Sequence, residues 1–340
     1  MVEGGKIVTV AVVGATGAVG ETILRVLEER DLGVSDVGPF ASRAREAGSR
    51  YRGRDLDVRV ASDEALRDYD VVFFAGGENA SERFATPLIE RGAIVIDNSA
   101  TFRMRDGVPL VIPEVNAHAV RPEHRLFPVA NCTAIILCSA LAPIRDAAGL
   151  RRVRVATYQA ASGAGREGLD ELLAGERALA LGEAEPQPRV FARALARNAI
   201  PQVGAFDERG ESGEELKVRE ETRKMLDLPG LAVTATAVRV PVRTAHSEAV
   251  FVETERAVSV AELAHAFEGT SGIVFHATGV VTPREVEGSD AVHVARLREE
   301  DASGGTRFAF WCVGDQLRKG AATNAVAILE LLLAKGYVRS

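Results

Sequence analysis

Two of the chain's three cysteines lie close together, in the segment VANCTAIILC at residues 129–138. Cys132 follows the strand-like FPVA and begins an apolar helical run, whereas Cys138 stands inside that run. A thiol at a helix N-terminus lies at the positive end of the helix dipole, which favours the thiolate that attacks carbonyl carbons. Taken alone, Cys132 fits a packed thiol equally well, and Cys138 and Cys312 are predicted to be packed.

Polar residues elsewhere in the sequence supply partners for such a thiol. The segment TYQAASGAG places Gln159 at a strand end, and RVPVRTAHSEAV groups Arg239, Arg243 and His246. An imidazole near neutrality can take a proton from a thiol and later return one. These partners favour Cys132 as a nucleophile. No set of His, Cys and Asp has metal-ligand spacing, so the sequence predicts no metal.

A glycine-rich turn, GATGAVG, directly follows the first predicted strand and places glycines at positions 14, 17 and 20. Glycine permits a tight turn and the close approach of a diphosphate to the backbone, and the helix that begins near Ala18 offers unbonded N–H groups. Such a turn also serves simple packing of a helix on a strand. Its position after the first strand favours a dinucleotide site.

The end of the second predicted strand, PFASRAREAG, indicates which dinucleotide binds. An NAD site holds the ribose 2′-hydroxyl with an acidic residue at this point. Here the chain offers Ser42, Arg43 and Arg45 before its first acid, Glu46. Hydroxyl and guanidinium groups suit a 2′-phosphate, so the sequence predicts NADP. A solvated basic loop is the alternative.

Two patterns of secondary structure would position these groups. In the N-terminal part, apolar runs alternate with helical segments, which is typical of a parallel sheet. These predicted strands are KIVTVAVVG, DVVFFAG (70–76), AIVIDNS (93–99) and LVIPEVN (110–116). After residue 132, alternating segments predict an antiparallel sheet with one packed face. They are RVRVATYQA, LAVTATAVRVPV, EAVFVETE and AVHVARLRE.

The predicted fold is α/β, with a Rossmann-like doubly wound parallel sheet and a second α+β domain that contains a mostly antiparallel sheet. We expect an NADP-binding domain over residues 1–131 and a catalytic domain over residues 132–316. The C-terminal helix within residues 317–340 is expected to return to the first domain. Pro143 is expected to bend or end the helix that begins at Cys132, and residues 165–198 are expected to be helical.

Composition limits the classes of function. The chain has 340 residues, of which 46% are hydrophobic, enough for sizeable cores. Lys and Arg number 41 against 48 Asp and Glu, for a net charge of −7, which indicates neither nucleic-acid nor membrane-surface binding. No apolar stretch approaches the ~20 residues of a membrane-spanning helix, and the N-terminus does not fit a signal peptide. A cytoplasmic protein is expected.

Several segments, in this order, resemble aspartate-semialdehyde dehydrogenases of the bacterial type: IDNSATFRM, VIPEVN, NCTA, YQAASGAG, IPQVG, EELKVREET and RVPVRTAHSEAV. The resemblance runs over nearly the whole chain. It implies the NADP-dependent interconversion of L-4-aspartyl phosphate and L-aspartate 4-semialdehyde, with phosphate as the other substrate or product. This step feeds lysine, threonine, methionine and diaminopimelate synthesis. The resemblance also implies that the second domain forms a homodimer, with a tetramer as the alternative.

The same resemblance implies roles for individual residues. Cys132 would be the acyl-thioester nucleophile, His246 the acid–base and Gln159 the group that orients the substrate. The substrate-binding residues would be Arg103 and Lys217 for the phosphate, Arg239 for the α-carboxylate, Glu214 for the α-ammonium, and Asn131. The cofactor-binding residues would be Gly14, Thr16, Gly17, Ala18, Val19, Ser42, Arg43, Arg45 and Gln316, with Ser162 and Gly163 near the nicotinamide half.

Three positions depart from the family pattern. Glu46 and an apparent extra residue alter the loop after the second strand, Gln316 stands where Asn is common, and Ala134 stands where Thr is common. One alternative function is an acyl-phosphate reductase similar to N-acetyl-γ-glutamyl-phosphate reductase, whose blocked amine would leave Glu214 without a partner. Another is a non-catalytic NADP-binding paralogue. The presence of the nucleophile together with its expected polar partners favours catalysis.

Overall fold

The computed structural model describes residues 8–338, without the side chain of Ser35. The chain forms two compact units. The first contains the residues through Ala130 together with the segment from Ala321 onward, and the second is Asn131–Gly320. The sequence analysis placed the corresponding boundaries after residues 131 and 316.

The first unit is built on a seven-stranded sheet with the order β3-β4-β2-β1-β5-β6-β7. Its strands are β1 (Val8–Val13), β2 (Val34–Ala41), β3 (Arg45–Tyr51), β4 (Arg54–Val60), β5 (Val71–Phe74), β6 (Ile94–Asp97) and β7 (Leu126–Pro128). All neighbouring strands are parallel except the β3–β4 hairpin. The predicted doubly wound parallel sheet is confirmed.

Helices accompany this sheet because its central strands are apolar on both faces. They are α1 (Ala18–Arg30), α2 (Glu78–Glu90), the short α3 (Pro113–Asn116) and, from the C-terminal segment, α9 (Thr323–Ala334). Phe84 and Leu88 of α2 pack against Val13, Val72 and Val95 of three neighbouring strands. α9 contacts α1 and β6 within the same unit.

The strand predicted at residues 110–116 is wrong. Pro113 begins α3 instead, and residues 110–112 pair with no strand among the described residues. The side chain of Asn116 accepts the N–H of Ile112 at 2.8 Å and donates to the carbonyl of Leu110 at 2.9 Å. Side-chain amides therefore satisfy backbone groups that a neighbouring strand would otherwise bind.

The second unit contains a six-stranded sheet with the order β11-β12-β13-β10-β8-β9. Its elements are α4 (Cys132–Ala148), β8 (Arg152–Gln159), α5 (Gly165–Leu181), α6 (Gly213–Leu226), β9 (Ala232–Arg239), β10 (His246–Glu253), α7 (Val260–Glu268), β11 (Ile273–His276), α8 (Pro283–Val286), β12 (Val292–Glu299) and β13 (Arg307–Gly314). The pairs β8–β9 and β11–β12 are parallel and the other pairs are antiparallel. The predicted mostly antiparallel sheet is confirmed.

Two helices differ from the sequence-based expectation. α4 continues through Pro143 to Ala148, where Gly149 follows it with a φ of 70°. The helix expected over residues 165–198 ends at Leu181, and the chain beyond it to residue 198 has no regular helix. Within residues 8–338, which include all three cysteines, there is no disulfide bond. No helix in this range is both long and apolar enough to cross a membrane.

Candidate active site

Cys132 is the first residue of α4, and Asn131 caps that helix. The Oδ1 atom of Asn131 accepts the N–H of Ala134 at 3.1 Å. The Cys132 side chain is half-buried, and its Sγ lies 4.0 Å from Oγ1 of Thr133. The thiol therefore stands where the first turn of the helix presents its amides and its positive dipole end, which favours the thiolate.

The other two cysteines are enclosed in the interior of the second unit. Burial raises the pKa of the Cys138 thiol to about 12. Burial and the neighbouring carboxyl of Glu248 raise the pKa of the Cys312 thiol well above its usual range. Both residues are fully buried, so neither thiol is accessible to a reactant.

A buried carboxylate, Glu214 of α6, joins two of the predicted site residues. Its Oε1 atom accepts the side-chain amides of Asn131 and of Gln159, each at 2.9 Å. Thr133 Oγ1 lies 3.5 Å from the same oxygen. Glu214 therefore links the cap of the cysteine helix to the end of β8.

The pairing of β8 and β9 brings Gln159 and Arg239 side by side. These residues are directly opposite in the parallel ladder, and each ends its strand. Arg239 is buried, and its Nη1 atom donates to the carbonyl of Ala160 at 2.6 Å. Burial lowers the pKa of Arg239, while the nearby charges of Glu214 and Cys132 oppose that shift. The guanidinium thus lies within electrostatic reach of the cysteine.

His246 is the first residue of β10, which runs antiparallel to β8, so it lies at the end of the sheet where β8 and β9 finish. The N–H of Ala160 donates to its Nδ1 atom at 3.1 Å, so a neutral ring carries its proton on Nε2. Nε2 is buried and has no hydrogen-bond partner among the described residues. Burial, and secondarily the charge of Arg239, hold the pKa of His246 well below its usual value.

The backbone of Gly163 lies close to the side chains of both His246 and Arg239. A Cβ atom at this position would lie 2.9 Å from Cε1 of His246 and 3.0 Å from Nη1 of Arg239. A side chain at position 163 would therefore displace both of these groups. The neighbouring Ser162 is held by Gln316, whose Nε2 donates to the serine hydroxyl at 2.5 Å.

The predicted cofactor role of Gln316 stays a prediction. Its Oε1 atom accepts the N–H of Ala245 at 2.7 Å, directly before His246. The side chain of Gln316 thus braces the segments that carry Ser162 and His246.

Gly320 is a site residue that the sequence analysis did not assign. It lies in a π-helical turn, Arg318–Ala322, and a Cβ atom at this position would lie 2.8 Å from Cβ and 3.2 Å from Cα of Cys132. The available sequence feature was a glycine inside an otherwise helical segment, which indicates close backbone approach.

The glycine turn of the first unit has the geometry of a diphosphate site. Gly14 has a φ of 89°, and a Cβ atom there would lie 2.6 Å from the backbone of Gly76. A Cβ atom at Gly20 would lie 2.2 Å from the carbonyl oxygen of Gly14. Gly17 precedes α1 and has no side-chain acceptor for the first N–H groups of that helix. The turn and the helix start therefore leave room and amide donors for an anion.

The remaining predicted contacts in this turn follow from its position in the chain. Thr16 lies in the turn, and Ala18 and Val19 are the first residues of α1. The side chains of Thr16, Ala18 and Val19 are each half-buried.

The predicted 2′-phosphate residues lie beside this turn, since β1 and β2 are neighbours and the N–H of Gly14 bonds the carbonyl of Phe40 at 2.8 Å. Ser42 and Arg43 follow β2, and Arg45 begins β3. All three are exposed. Their role toward a 2′-phosphate stays a prediction.

The two predicted phosphate-binding cations have different surroundings. Arg103, in the first unit, is buried, and its guanidinium donates to the carbonyls of Val129 at 2.9 Å and Asn98 at 3.0 Å. Lys217, in the second unit, is exposed on α6 one turn after Glu214. Their role toward phosphate stays a prediction. Within residues 8–338, no group of three or more His, Cys, Asp or Glu side chains is placed to hold a metal ion.

Comparisons with known proteins match both units. The family model described as semialdehyde dehydrogenase, NAD binding domain, matches residues 9–122, and the one described as semialdehyde dehydrogenase, dimerisation domain, matches residues 141–319. The aspartate-semialdehyde dehydrogenase of Bacillus subtilis is 38% identical over 96% of this chain and 98% of its own. Aspartate-semialdehyde dehydrogenase 2 of Vibrio cholerae is 41% identical over 95% of this chain and 97% of its own.

Comparison with solved structures indicates the same family. The crystal structure of aspartate semialdehyde dehydrogenase II from Vibrio cholerae, complexed with ASA, superposes with a TM-score of 0.91 at 36% identity and covers 97% of this chain and 99% of that one. A mostly parallel sheet that matches an NAD-binding domain, followed by a mixed sheet that matches a dimerisation domain, defines the class of semialdehyde dehydrogenases. Within that class, the chain belongs to the aspartate-semialdehyde dehydrogenase family.

Proposed function

We propose that this enzyme catalyses the NADP-dependent, reversible conversion of L-4-aspartyl phosphate to L-aspartate 4-semialdehyde and phosphate. The step would serve the synthesis of lysine, threonine, methionine and diaminopimelate. The observation that carries the proposal is the position of Cys132 at the N-terminus of α4, with Asn131, Gln159 and Arg239 in one connected cluster. Full-length similarity to enzymes of this name supports the substrate.

In the proposed first step, the Cys132 thiolate attacks the side-chain acyl carbon. The C–O bond to the phosphate breaks, which gives a Cys132 thioester and inorganic phosphate. The N–H groups of the first turn of α4 are suited to stabilise the oxyanion that forms on the way. The Arg239 guanidinium would hold the α-carboxylate, and Glu214 would meet the α-ammonium. Arg103 and Lys217 would hold the departing phosphate.

When bound, the nicotinamide supplies the hydride that reduces the thioester carbonyl. His246 would donate a hydrogen bond from Nε2–H to the oxyanion that forms as the hydride adds, and would keep its proton, because its Nδ1 already accepts the N–H of Ala160. The C–S bond then breaks, which releases the aldehyde and restores the Cys132 thiolate. In this tautomer Nε2 carries a hydrogen, so His246 starts the reaction as a hydrogen-bond donor and not as a base.

The choice of NADP rests on the chemistry at the end of β2. Ser42, Arg43 and Arg45 offer a hydroxyl and two cations where an NAD site would place an acid. The cradle formed by Gly14, Gly17 and the start of α1 suits the diphosphate. A cytoplasmic homodimer is part of the proposal, and the match to a dimerisation domain supports its assembly.

The test is steady-state turnover of aspartate semialdehyde with phosphate and with NADP or NAD. We expect turnover that requires phosphate and is faster with NADP. Cys132→Ser should lower kcat by at least roughly 10³-fold, since an alcohol in that place lacks the thiolate. Cys138→Ser is the matched control on the same helix and should keep its activity. Parent-like turnover by Cys132→Ser would contradict the mechanism, and turnover only with N-acetyl-γ-glutamyl semialdehyde would support the related reductase.

A further inference from the structure

α6 directs two buried carboxylates at a single residue, Asn131. Glu214 and Glu221 are seven residues apart, or about two helical turns, and therefore share one face of the helix. Oε1 of Glu214 accepts the side-chain amide of Asn131 at 2.9 Å. Oε2 of Glu221 accepts the backbone N–H of the same residue at 2.6 Å. One helix thus holds both the side chain and the main chain of Asn131.

The third polar group of Asn131 points along α4. Its Oδ1 accepts the N–H of Ala134, so the residue is bound in three directions. Cys132 follows by a single peptide bond. The conformation of Asn131 therefore determines the direction in which the Cys132 side chain points from the start of α4.

Glu221 supplies the shortest of these three hydrogen bonds. Its side chain is only 2% exposed, and the bond to the buried N–H has the short length of a charge-assisted hydrogen bond. A buried carboxylate is expensive to desolvate and is tolerated only where it is well bonded. Loss of this acceptor would leave the N–H of Asn131 buried without its partner, and the turn before Cys132 would relax.

We infer that Glu221 is a positioning residue for Cys132: it fixes the turn that aims the thiol and does not itself contact the reactants. This inference rests on the proposed function of Cys132 as the nucleophile. It adds Glu221, which lies 90 positions after Asn131 in the sequence, to the residues that influence the Cys132 thiol.

Glu215 provides a matched control on the same helix. It is also buried, and its carboxylate accepts the backbone N–H groups of Ser212 at 2.6 Å and Ala237 at 2.9 Å. These amides do not adjoin Cys132. If the loss of any buried carboxylate from α6 destabilises the protein, Glu215→Gln should show that destabilisation as well. Glu215→Gln should not change the reactivity of the Cys132 thiol.

The experiment compares Glu221→Gln, Glu221→Ala and Glu215→Gln with the parent enzyme. The first readout is the rate of Cys132 alkylation by iodoacetamide as a function of pH, with the labelled residue identified by mass spectrometry. The second is kcat and KM for aspartate semialdehyde. Circular dichroism and thermal unfolding report folding separately. Because Cys138 and Cys312 are buried, the alkylation signal reports on Cys132.

We expect kcat to fall in a graded way across the Glu221 variants. Glu221→Ala should lower kcat by on the order of 10- to 100-fold, because small displacements of a reacting group have effects of this size. KM should change by about twofold or less, since substrate binding is not removed. Glu221→Gln should lie between Ala and the parent, because its neutral amide oxygen still accepts the N–H but more weakly. Glu215→Gln should keep the parent's alkylation profile.

Folded Glu221→Ala with the parent's kcat and alkylation profile would overturn the inference. If Glu221→Ala does not fold, Glu221→Gln decides, and an alkylation profile equal to that of the parent overturns the inference. The proposed function fails separately, when the parent itself does not turn over the semialdehyde. In that case the alkylation comparison still tests whether Glu221 positions the thiol.

Discussion

At the scale of single residues, the three thiols of this chain differ through their neighbours. Cys138 and Cys312 are enclosed in the core, and burial raises the pKa of both. Cys132 is half-buried at a helix start, and the backbone of Gly320 lies against its Cβ. The space beside the proposed nucleophile therefore depends on a residue that has no side chain.

We predict that Gly320→Ala lowers both kcat and the rate of Cys132 alkylation. The added Cβ would meet Cβ and Cα of Cys132 at 2.8 and 3.2 Å, and a backbone contact of this kind cannot be relieved by rotating a side chain. The expected loss is on the order of 10- to 100-fold in kcat. Gly230→Ala is the control, since its Cβ would meet no atom within 4 Å. Equal activity of the two variants would show that Gly320 does not shape the site.

At the scale of an element, β10 carries an acid in its buried middle. Glu248 is fully buried, its Oε2 accepts the thiol of Cys312 at 3.4 Å, and its Oε1 has no partner among the described residues. Burial raises the pKa of Glu248 to about 8, and the hydrogen bond from Cys312 opposes the shift. The carboxyl of the folded protein therefore stays mostly protonated well above the pH at which an exposed glutamate ionises.

This shift predicts how stability depends on pH. Between the ordinary pKa of 4.5 and about 8, the folded state binds a proton at Glu248 that the unfolded chain has lost. The free energy of unfolding therefore falls as pH rises, by at most about 1.4 kcal/mol per pH unit from this group. Glu248→Gln is neutral at every pH and has a similar shape, so it should be similar to the parent near pH 5 and more stable near pH 8, by about 1–3 kcal/mol.

Denaturant unfolding at both pH values measures this difference. Glu253→Gln, at the half-exposed end of the same strand, is the control and should retain the parent's slope. A parallel pH dependence of Glu248→Gln and the parent would contradict the predicted shift.

At the scale of the whole molecule, the second sheet has a face that its own helices leave accessible. Tyr158 of β8 and Phe251 of β10 are 37% and 38% exposed, and Trp311 of β13 is half-buried. The rings of Tyr158 and Trp311 lie 5.3 Å apart. Aromatic groups clustered on a sheet face are typical of an interface, and this unit matches the dimerisation-domain family.

We predict that Phe251→Arg weakens the proposed homodimer. An arginine at this position would place a second charge beside Arg154, its cross-strand neighbour, and would remove the contact area of the ring. Sedimentation velocity over a dilution series should show the parent as a dimer and the variant shifted toward monomer. Val60→Arg is the control, because Val60 is 52% exposed at the end of β4, in the sheet of the first unit. A dimeric Phe251→Arg would exclude this face, and a monomeric parent would exclude the dimer.

Features that depend on near neighbours in the chain could be predicted from the amino-acid sequence. The strand β1, the turn at Gly14 and the start of α1 follow from β-branched residues, glycine and helical periodicity within a few positions of one another. Cys132 at a helix N-terminus was predictable for the same reason, since Asn131 is a favoured cap and the apolar run follows directly.

Features that depend on distant segments became visible only in the folded chain. Residues 110–112 have strand-forming side chains, but the amide of Asn116 and, from the far end of the chain, that of Asn324 bind their backbone groups. The parallel register of β8 and β9 places Gln159 beside Arg239, and α6 brings Glu221 to Asn131. Hydrophobic periodicity specifies which face of an element is buried, whereas the partner that a buried polar group finds is set by packing between elements.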